Sequence, residues 1–295
     1  MGIAGESGSG KTVLALSLLG LMPRAAIHEQ TGRMLFDGID LATLDEPGFR
    51  SLRGRRLAMV FQEPMSAMNP LMTLYDQVSE GVRIHEPRQP EAEVRKRVKE
   101  ALIRAGFSDP ETFYDAFPHQ LSGGMRQRAM LGMALAMDPE LIVADEPTTA
   151  LDAALQVQLL DELRETVRSR GHSLIFISHD LGVIRTVADS LGILYAGFMI
   201  EQGPAASVLE SPFHPYTKAL RDAMPRLTKE KALPKSIPGH LPAPDRKPKG
   251  CIFSNRCNKT QDRCRSAMPP VSRPIEGRTV RCYFPESAPK VESLR

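Results

Sequence analysis

The stretch Gly5-Glu6-Ser7-Gly8-Ser9-Gly10-Lys11-Thr12 fits the pattern G-x-x-x-x-G-K-[ST] at every fixed position. Its glycines allow the backbone to curl so that N–H groups point toward a bound phosphate. Lys11 can lie along the β- and γ-phosphates of a nucleotide, and the hydroxyl of Thr12 can ligate Mg²⁺. A flexible Gly/Ser linker is the alternative, but a linker has no reason to place Lys-Thr directly before an apolar helix. The stretch therefore predicts a phosphate-binding loop.

The residues that follow this loop predict a buried helix. The run 13–19 is almost entirely apolar, and the positive N-terminal end of such a helix would face the anion. Further along, segments typical of strands alternate with segments typical of helices, which specifies a mostly parallel sheet covered on both faces. We therefore expect an α/β fold of the P-loop NTPase kind.

The composition is that of an ordinary globular protein. The chain has 295 residues, of which 42% are hydrophobic and 25% charged, enough for one large domain and an extension. A formal net charge of +3 is too small to indicate a nucleic-acid partner. No apolar run approaches the roughly 20 residues of a membrane helix, and the N-terminus shows no basic segment with a cleavage site. We expect a cytoplasmic protein whose link to a membrane depends on a partner.

Two adjacent carboxylates follow a predicted buried strand. The apolar run 141–144 is typical of a central parallel strand, and it ends in Asp145 and Glu146. Buried carboxylates are costly unless they meet a cation or a proton-transfer task. A Mg²⁺ ion beside Thr12 would supply the cation. We therefore assign Asp145 to the metal and Glu146 to the polarisation of the attacking water.

Two further polar side chains lie at predicted strand ends. Residues 57–61 form an apolar strand candidate that delivers Gln62 to its C-terminal end, and residues 173–178 do the same for His179. Taken alone, Gln62 is typical of a surface residue and His179 of a packed or exposed histidine. Active-site groups collect at such strand ends near a phosphate loop. This shared edge favours a γ-phosphate contact for His179 and an active-site role for Gln62.

A helical region lies between these strands. Residues 71–136 have a helical texture, with an amphipathic stretch at 91–105. Near the end of this region, Leu121-Ser122-Gly123-Gly124 predicts a turn before a helix at 129–137. Ser122 can be a simple N-cap, or its hydroxyl and the glycine N–H groups can form a second anion site. The convergence of these donors favours the anion site.

Together these motifs resemble the nucleotide-binding subunits of ATP-binding-cassette (ABC) transporters. The resemblance extends to about residue 228, where we place the end of the nucleotide-binding domain. The family pattern includes the phosphate loop, Gln62, the signature at 121–124, the pair Asp145-Glu146, the turn ending in Asp152, and His179. It implies a nucleotide site of Gly5 to Thr12 with Ser122, Gly123, Gly124 and Asp152, catalytic residues Gln62, Glu146 and His179, and Mg²⁺ ligands Thr12, Gln62 and Asp145. The implied cofactors are ATP and Mg²⁺.

The same resemblance implies an assembly. Two ABC subunits, identical or different, pair head to tail, so that Ser122 and Gly124 of one chain close over the ATP held by the other. Hydrolysis then moves two transmembrane permease subunits docked near Gln62, and an extracytoplasmic solute-binding protein delivers the solute. The chain is expected at the cytoplasmic face of the plasma membrane as a peripheral subunit, with no nucleic-acid partner.

Local patterns narrow the resemblance to importers of dipeptides, oligopeptides and nickel. These patterns are Phe61-Gln62-Glu63-Pro64-Met65 with Asn69-Pro70, Pro212-Phe213-His214-Pro215-Tyr216-Thr217 and Ile237-Pro238-Gly239, followed by a cysteine-bearing tail. The implied activity is ATP hydrolysis that powers import of peptides or nickel. A soluble ABC-type ATPase of DNA repair or translation is the alternative, although this sequence has neither the long coiled coil nor the second cassette of those proteins. A protein that binds nucleotide without hydrolysis is a third option, which the intact Glu146 and His179 oppose.

Residues 229–295 form a predicted extension that contains every cysteine. Five prolines between positions 234 and 248 break any long helix. Cys251, Cys257, Cys264 and Cys282 all lie beyond them, and this clustering indicates a set. In the cytosol four thiols favour a metal site over two disulfides. Their spacing lacks the close pairs of common zinc sites, and the resemblance implies a [4Fe–4S] cluster, with zinc and free thiols as alternatives.

The sequence before the phosphate loop is short compared with the family. Only four residues precede Gly5, whereas the family has several strands and an aromatic residue that stacks on adenine. We expect the natural chain to begin upstream, because Ile3-Ala4 would otherwise leave an apolar strand end with exposed ladder groups. The alternative is a product that lacks those strands and binds ATP weakly.

Overall fold

The chain divides into two units. A computed structural model describes residues 1–149, 153–224, 236–243 and 245–286. The first unit joins Met1–Lys11 to Phe176–Arg295, and the second unit is Thr12–Ile175. The domain boundary predicted near residue 228 falls outside the described residues.

The secondary structure alternates strands and helices, as the sequence predicts. The strands are β1 (Gly2–Ala4), β2 (Leu35–Phe36), β3 (Ile39–Asp40), β4 (Leu57–Val60), β5 (Leu141–Asp145), β6 (Ser173–Ile177), β7 (Ser190–Tyr195), β8 (Phe198–Pro204) and β9 (Thr279–Val280). The α-helices are α1 (Lys11–Leu18), α2 (Glu46–Leu52), α3 (Pro64–Ala67), α4 (Leu74–His85), α5 (Glu91–Arg104), α6 (Gly123–Leu135), α7 (Ala153–Arg170), α8 (Leu181–Val187), α9 (Ala205–Glu210), α10 (Pro215–Asp222) and α11 (Asp262–Ser266).

Two parallel strands of the second unit lead to the predicted catalytic residues. β4 pairs with β5, beginning with Leu57 opposite Leu141. Both strands are apolar and mostly buried, as expected for strands covered on both faces. Parallel strands end at the same edge. Gln62, just after β4, therefore lies at the same edge as Asp145 at the end of β5.

The helices α4, α5 and α6 occupy the helical region predicted at 71–136. The predicted amphipathic stretch is α5, and its apolar side chains Val94, Val98 and Leu102 are 2%, 0% and 0% exposed. Full burial of each such side chain contributes about 1.5–3 kcal/mol. α6 approaches α5 closely, since a Cβ added at Gly132 would lie 2.9 Å from Leu102 Cδ2. Glycine at position 132 therefore permits this close approach of the two helices.

The helix after the signature begins earlier than the sequence predicts. The sequence predicts a Ser-Gly-Gly turn and a helix from residue 129, whereas α6 begins at Gly123. Ser122 is the N-cap, and its Oγ accepts the N–H of Met125 at 3.3 Å. The cap offsets the poor helix propensity of two glycines in the first turn. The glycines therefore belong to the helix.

The strand before the phosphate loop lies inside a parallel array of the first unit. The strand order there is β6-β1-β7-β8-β9, and β1 pairs in parallel with both β6 and β7. β8 and β9 continue the array as antiparallel strands. Because β1 is paired on both sides and Ile3 and Ala4 are 2% and 0% exposed, the argument that these residues would leave exposed ladder groups is wrong. The parallel pairs of both units confirm the predicted mostly parallel α/β fold.

A buried ion pair joins the C-terminal extension to β8. Arg278 and Glu201 form the pair, and their side chains are 1% and 0% exposed. The Glu201 carboxylate also accepts the N–H groups of Phe213 and His214, each at 2.8 Å. The Arg278 guanidinium lies 3.8 Å from the centroid of the Phe213 ring and donates to the Ser211 carbonyl at 2.8 Å. Loss of one partner would leave an uncompensated buried charge.

Arg278→Met should destabilise the protein by about 3–5 kcal/mol, because the Glu201 carboxylate would remain buried without its cation. Adding Glu201→Gln removes that charge and should recover part of the loss. Arg185→Met is the matched control, since Arg185 and Glu210 form an exposed pair 3.9 Å apart and such pairs contribute about 0–1 kcal/mol. Urea unfolding at neutral pH measures all three variants. A double variant no more stable than Arg278→Met would contradict the charge argument.

Candidate active site

The phosphate loop leaves β1 in a tight curl. Gly8 and Gly10 have φ values of 79° and 101°, a region that other residues enter only with strain. Gly5 is needed for a different reason, because an added Cβ would lie 2.2 Å from the carbonyl oxygen of Leu194 in β7. The three glycines therefore permit both the curl and the close approach to β7.

The loop is closed by bonds within itself and to the β7–β8 turn. The Ser9 N–H donates to the Glu6 carbonyl at 3.1 Å, and the N–H of Gly197 in that turn donates to the Ser9 carbonyl at 2.8 Å. Lys11 is 6% exposed, and its Nζ donates to the carbonyls of Gly5 at 2.8 Å and Glu6 at 3.1 Å. The ammonium is therefore held within the curl, next to the backbone that would surround an anion.

Glu6 is bonded through both its main chain and its side chain. Its N–H donates to the Tyr216 hydroxyl at 2.9 Å. Its two carboxylate oxygens each accept from Nη1 of Arg256 at 3.1 Å. Burial opposes the charge of Arg256, but hydrogen bonds to Tyr195 and Glu6 outweigh it and raise the pKa of Arg256. Glu6 therefore has two strong partners that lie outside the loop motif.

Tyr216 and Arg256 are site residues that the nucleotide motifs do not reveal. Tyr216 belongs to the pattern at 212–217, which indicates only the subfamily, and Arg256 directly precedes Cys257 in the extension. Burial raises the pKa of Tyr216, so its hydroxyl stays protonated at neutral pH. In the sequence, Tyr216 could be found only through the subfamily pattern, and Arg256 only through its position next to Cys257.

His179 follows β6, which pairs in parallel with β1 at the strand that leads into the loop. The Asp180 Oδ1 caps α8 by accepting the N–H of Gly182 at 2.7 Å, and the Asp180 N–H donates to Ser178 Oγ at 3.0 Å. These bonds fix the backbone around His179, whose side chain is exposed. The predicted histidine thus lies at the carboxyl edge of the parallel strands in the first unit.

The second unit brings Gln62 and Glu146 together. Gln62 Nε2 lies 3.4 Å from Glu146 Oε2, a long hydrogen bond, and Thr149 Oγ1 donates to the same oxygen at 3.0 Å. Glu146 has a φ of 46°, which is uncommon for a residue with a side chain. Such backbone strain is concentrated at functional sites. Thr149 is a neighbour of the carboxylate that the sequence did not indicate.

The predicted Mg²⁺ ligands have donor atoms of the right chemistry. Asp145 is 2% exposed at the end of β5, and the Thr12 side chain is exposed in the first turn of α1. Gln62 lies at the same strand edge as Asp145. Mg²⁺ prefers oxygen ligands, and proteins hold it with one or two carboxylates together with nucleotide phosphates. The residues of this unit therefore fit the ion.

The signature residues form an accessible helix start. Ser122 and Gly123 are exposed, and Ser122 caps α6. A Cβ added at Gly124 would lie 3.0 Å from Leu155 Cδ1 of α7, so this position has little room for a side chain. The N-cap interpretation of Ser122 is confirmed, and the anion site stays a prediction. The predicted site residue Asp152 lies outside the described residues.

The four cysteines line one small cavity of the first unit. Cys251 and Cys264 are buried, Cys257 and Cys282 are partly exposed, and none of the four is in a disulfide. Burial raises the pKa of Cys251. Burial, strengthened by the charges of the other three thiols, raises the pKa of Cys282 to about 11. The cysteines therefore form a set in space as well as in sequence.

Two features are absent from the described ranges. No group of three or more His, Cys, Asp or Glu side chains is arranged to hold metal within residues 1–149, 153–224, 236–243 and 245–286. Neither a [4Fe–4S] cluster nor a zinc ion at the cysteines therefore gains support from a ligand grouping among the described residues. In the same ranges, no helix has the length and apolar character needed to cross a membrane.

Known families match this chain in two places, one in its N-terminal half and one in its C-terminal part. Residues 1–149 match the family described as ABC transporter, and residues 200–264 match that described as oligopeptide/dipeptide transporter, C-terminal region. The dipeptide transport ATP-binding protein DppD of Escherichia coli is 39% identical over 97% of this chain and 86% of its own length. The oligopeptide transport ATP-binding protein AppD of Bacillus subtilis is 38% identical over 96% of this chain and 86% of its own length.

A solved structure gives the same result for the fold. The ATP-binding cassette MJ0796, in a dimeric post-hydrolysis state bound to ADP and Pi, is 29% identical and matches with a TM-score of 0.61. The match covers 69% of this chain and 84% of that chain. The phosphate loop, the strand-end residues and these likenesses agree, and the chain belongs to the ABC transporter family.

Proposed function

We propose that this chain is the ATP-hydrolysing subunit of a peptide importer. The observation that carries the proposal is the phosphate loop, in which Lys11 is held inside a glycine-built curl on the carbonyls of Gly5 and Glu6. The relatives named for dipeptide and oligopeptide transport support peptides as the solute. Nickel gains no support from these relatives, and neither does a soluble ATPase of DNA repair or translation.

The proposed chemistry is divided among four side chains. Lys11 offers its charge to the β- and γ-phosphates, and the loop N–H groups add donors there. Glu146 takes up the proton of the attacking water, and Gln62, which is bonded to Glu146, orients that water. His179 contacts the γ-phosphate. Each of these side chains lies just after a strand or in the loop that follows β1.

Thr12, Asp145 and Gln62 are proposed to hold Mg²⁺. When bound, the ion supplies charge neutralisation between the β- and γ-phosphates. Asp145 contributes the negative charge of the set, while Thr12 and Gln62 contribute neutral oxygens. One carboxylate with neutral oxygens and phosphates is the arrangement in which proteins usually bind this ion.

Glu146→Gln should lower ATP hydrolysis by about 10²-fold or more while ATP still binds, because only the water-activating carboxylate is lost. Lys11→Ala should instead weaken ATP binding itself, through lost charge at the phosphates. Phosphate release and titration with a fluorescent ATP analogue measure the two quantities. Hydrolysis near the wild-type rate in Glu146→Gln would contradict the assignment of the base. Unchanged affinity in Lys11→Ala would contradict the phosphate-loop assignment.

The active form is proposed to be a head-to-tail pair of ABC subunits, identical or different. MJ0796, which is similar in fold, is dimeric in its structure. The exposed start of α6 at Ser122 offers N–H groups and the positive end of a helix to a phosphate of the partner's nucleotide. Two transmembrane permease subunits and an extracytoplasmic solute-binding protein would complete the importer. This chain would then be peripheral, at the cytoplasmic face of the membrane.

Ser122→Arg should reduce hydrolysis by the assembled pair at least about tenfold, because a bulky cation would block the partner's nucleotide. Each single chain should still bind ATP. Thr73→Arg is the matched control, since Thr73 is also a helix N-cap, at the start of α4, with its Oγ1 accepting from the Asp76 N–H at 3.2 Å. Hydrolysis that is as sensitive to the control as to Ser122→Arg would show a loss of stability. Hydrolysis insensitive to Ser122→Arg would contradict the paired site.

A [4Fe–4S] cluster is proposed for the four cysteines. They line one cavity, and the Lys259 N–H donates to Cys257 Sγ at 3.4 Å. Backbone N–H groups also favour the thiolates of Cys251 and Cys282, against the burial that raises the pKa of both. Hydrogen bonds to sulfur and a shielded site are the features by which proteins tune iron–sulfur clusters. Two of the four thiols are buried and all four line the cavity, which supports the proposed cluster.

Anaerobically purified protein should contain about four iron atoms and four sulfides per chain, as the proposed cluster requires. Cys282→Ser should lose most of both. Ser254→Ala is the matched control, because Ser254 lines the same cavity without a sulfur ligand. Metal analysis and assay of acid-labile sulfide measure these contents. One zinc per chain, or no metal at all, would contradict the cluster.

A further inference from the structure

We propose that Arg256 is a positioning residue of the nucleotide site, which holds the Glu6 carboxylate and neutralises its charge so that the phosphate loop can accept ATP. The inference rests on the proposed ATP site and adds to it a residue of the C-terminal extension. Arg256 lies in the segment 251–257, here named the cysteine segment, which begins at Cys251 and ends at Cys257.

The first support is the geometry of the guanidinium. The Arg256 side chain is 4% exposed. Its Nη1 reaches both Glu6 carboxylate oxygens at 3.1 Å and the Tyr195 hydroxyl at 3.3 Å. Its Nε donates to the Pro238 carbonyl at 2.7 Å, and its Nη2 donates to the Ile237 carbonyl at 3.3 Å. The guanidinium is therefore held on several sides and presents a fixed positive charge to Glu6.

The second support is a contact from the other end of the cysteine segment. Phe253 is 3% exposed, and its ring centroid lies 5.4 Å from that of Tyr216 and 5.2 Å from that of Tyr195. Tyr216 is the residue whose hydroxyl accepts the Glu6 N–H at 2.9 Å. The cysteine segment thus supports Glu6 twice, at the carboxylate through Arg256 and at the main chain through the ring that Phe253 packs against.

The third support is electrostatic. Glu6 directly follows Gly5 in a loop that is proposed to bind a polyanion, and a carboxylate there would repel phosphate in poorly screened surroundings. The Glu6 carbonyl also accepts both the Ser9 N–H and Lys11 Nζ at 3.1 Å. A movement of Glu6 would therefore disturb the loop backbone and the lysine together. Arg256 cancels the charge and fixes the residue.

A double-mutant cycle of Arg256→Gln and Glu6→Gln tests this role in the full chain. Titration with a fluorescent ATP analogue measures the affinity of each variant. Arg256→Gln should weaken affinity about tenfold, because it exposes the loop to an unopposed carboxylate. Glu6→Gln should tighten binding severalfold, because the positive charge then acts on the nucleotide alone. The double variant should recover most of the affinity lost in Arg256→Gln. A purely structural role for Arg256 predicts no such recovery.

Arg263→Gln is the matched control, because Arg263 also directly precedes a cysteine and lies on a ring, 4.3 Å from the centroid of Tyr283. It should leave ATP affinity unchanged. If Arg256→Gln does not fold, Arg256→Lys replaces it, and the retained charge should keep affinity within about threefold of wild type. A tenfold loss in that variant would overturn the proposal. Unchanged affinity in Arg256→Gln, or a double variant as weak as the single one, would overturn it too. Wild-type protein that binds no ATP would instead refute the proposed function.

Discussion

A loop that binds phosphate through its backbone must be fixed in shape before the anion arrives, and the first unit satisfies that constraint. β1 delivers the loop from an array in which it is paired on both sides. The turn at Gly197 holds the Ser9 carbonyl, while Tyr216 and Arg256 hold Glu6. These supports come from separate parts of the chain. The geometry of the loop is therefore a property of the whole unit and not of its eight residues.

The C-terminal extension contributes two arginines that meet carboxylates of the sheet and the loop. Arg278 pairs with Glu201 of β8, and Arg256 pairs with Glu6. In both pairs the arginine side chain is almost completely buried, at 1% and 4% exposed. The Glu201 side chain is buried as well, whereas Glu6 is 25% exposed. Only the Arg278–Glu201 pair is therefore fully removed from water, where its geometry must be good to offset desolvation. The extension is therefore tied to the rest of the first unit by charge as well as by the strand pairing of β9 with β8.

The sequence predicted well wherever the signal was local. β4 and β5 follow from apolar runs, and α5 follows from its helical period. The start of α6 was placed too late because paired glycines are typical of turns, whereas the N-cap that the sequence also allowed at Ser122 marks the true start. The pairing of β1 escaped prediction for a different reason, since its partner strands come more than one hundred residues later. The partners of Glu6 lie 210 and 250 positions away, and no local pattern encodes such contacts.

The contact between the cysteine segment and the phosphate loop limits how freely the C-terminal extension can be removed or exchanged for that of a relative. Every ATP motif discussed above lies before residue 180, so a fusion or a shortened gene product that ends after α10 would keep them all. It would nevertheless lose Arg256 and Phe253, and with them the counter-charge of Glu6 and the support of Tyr216. The extension is therefore no interchangeable module, because its exchange between relatives would have to preserve an arginine that matches the first variable residue of the phosphate loop.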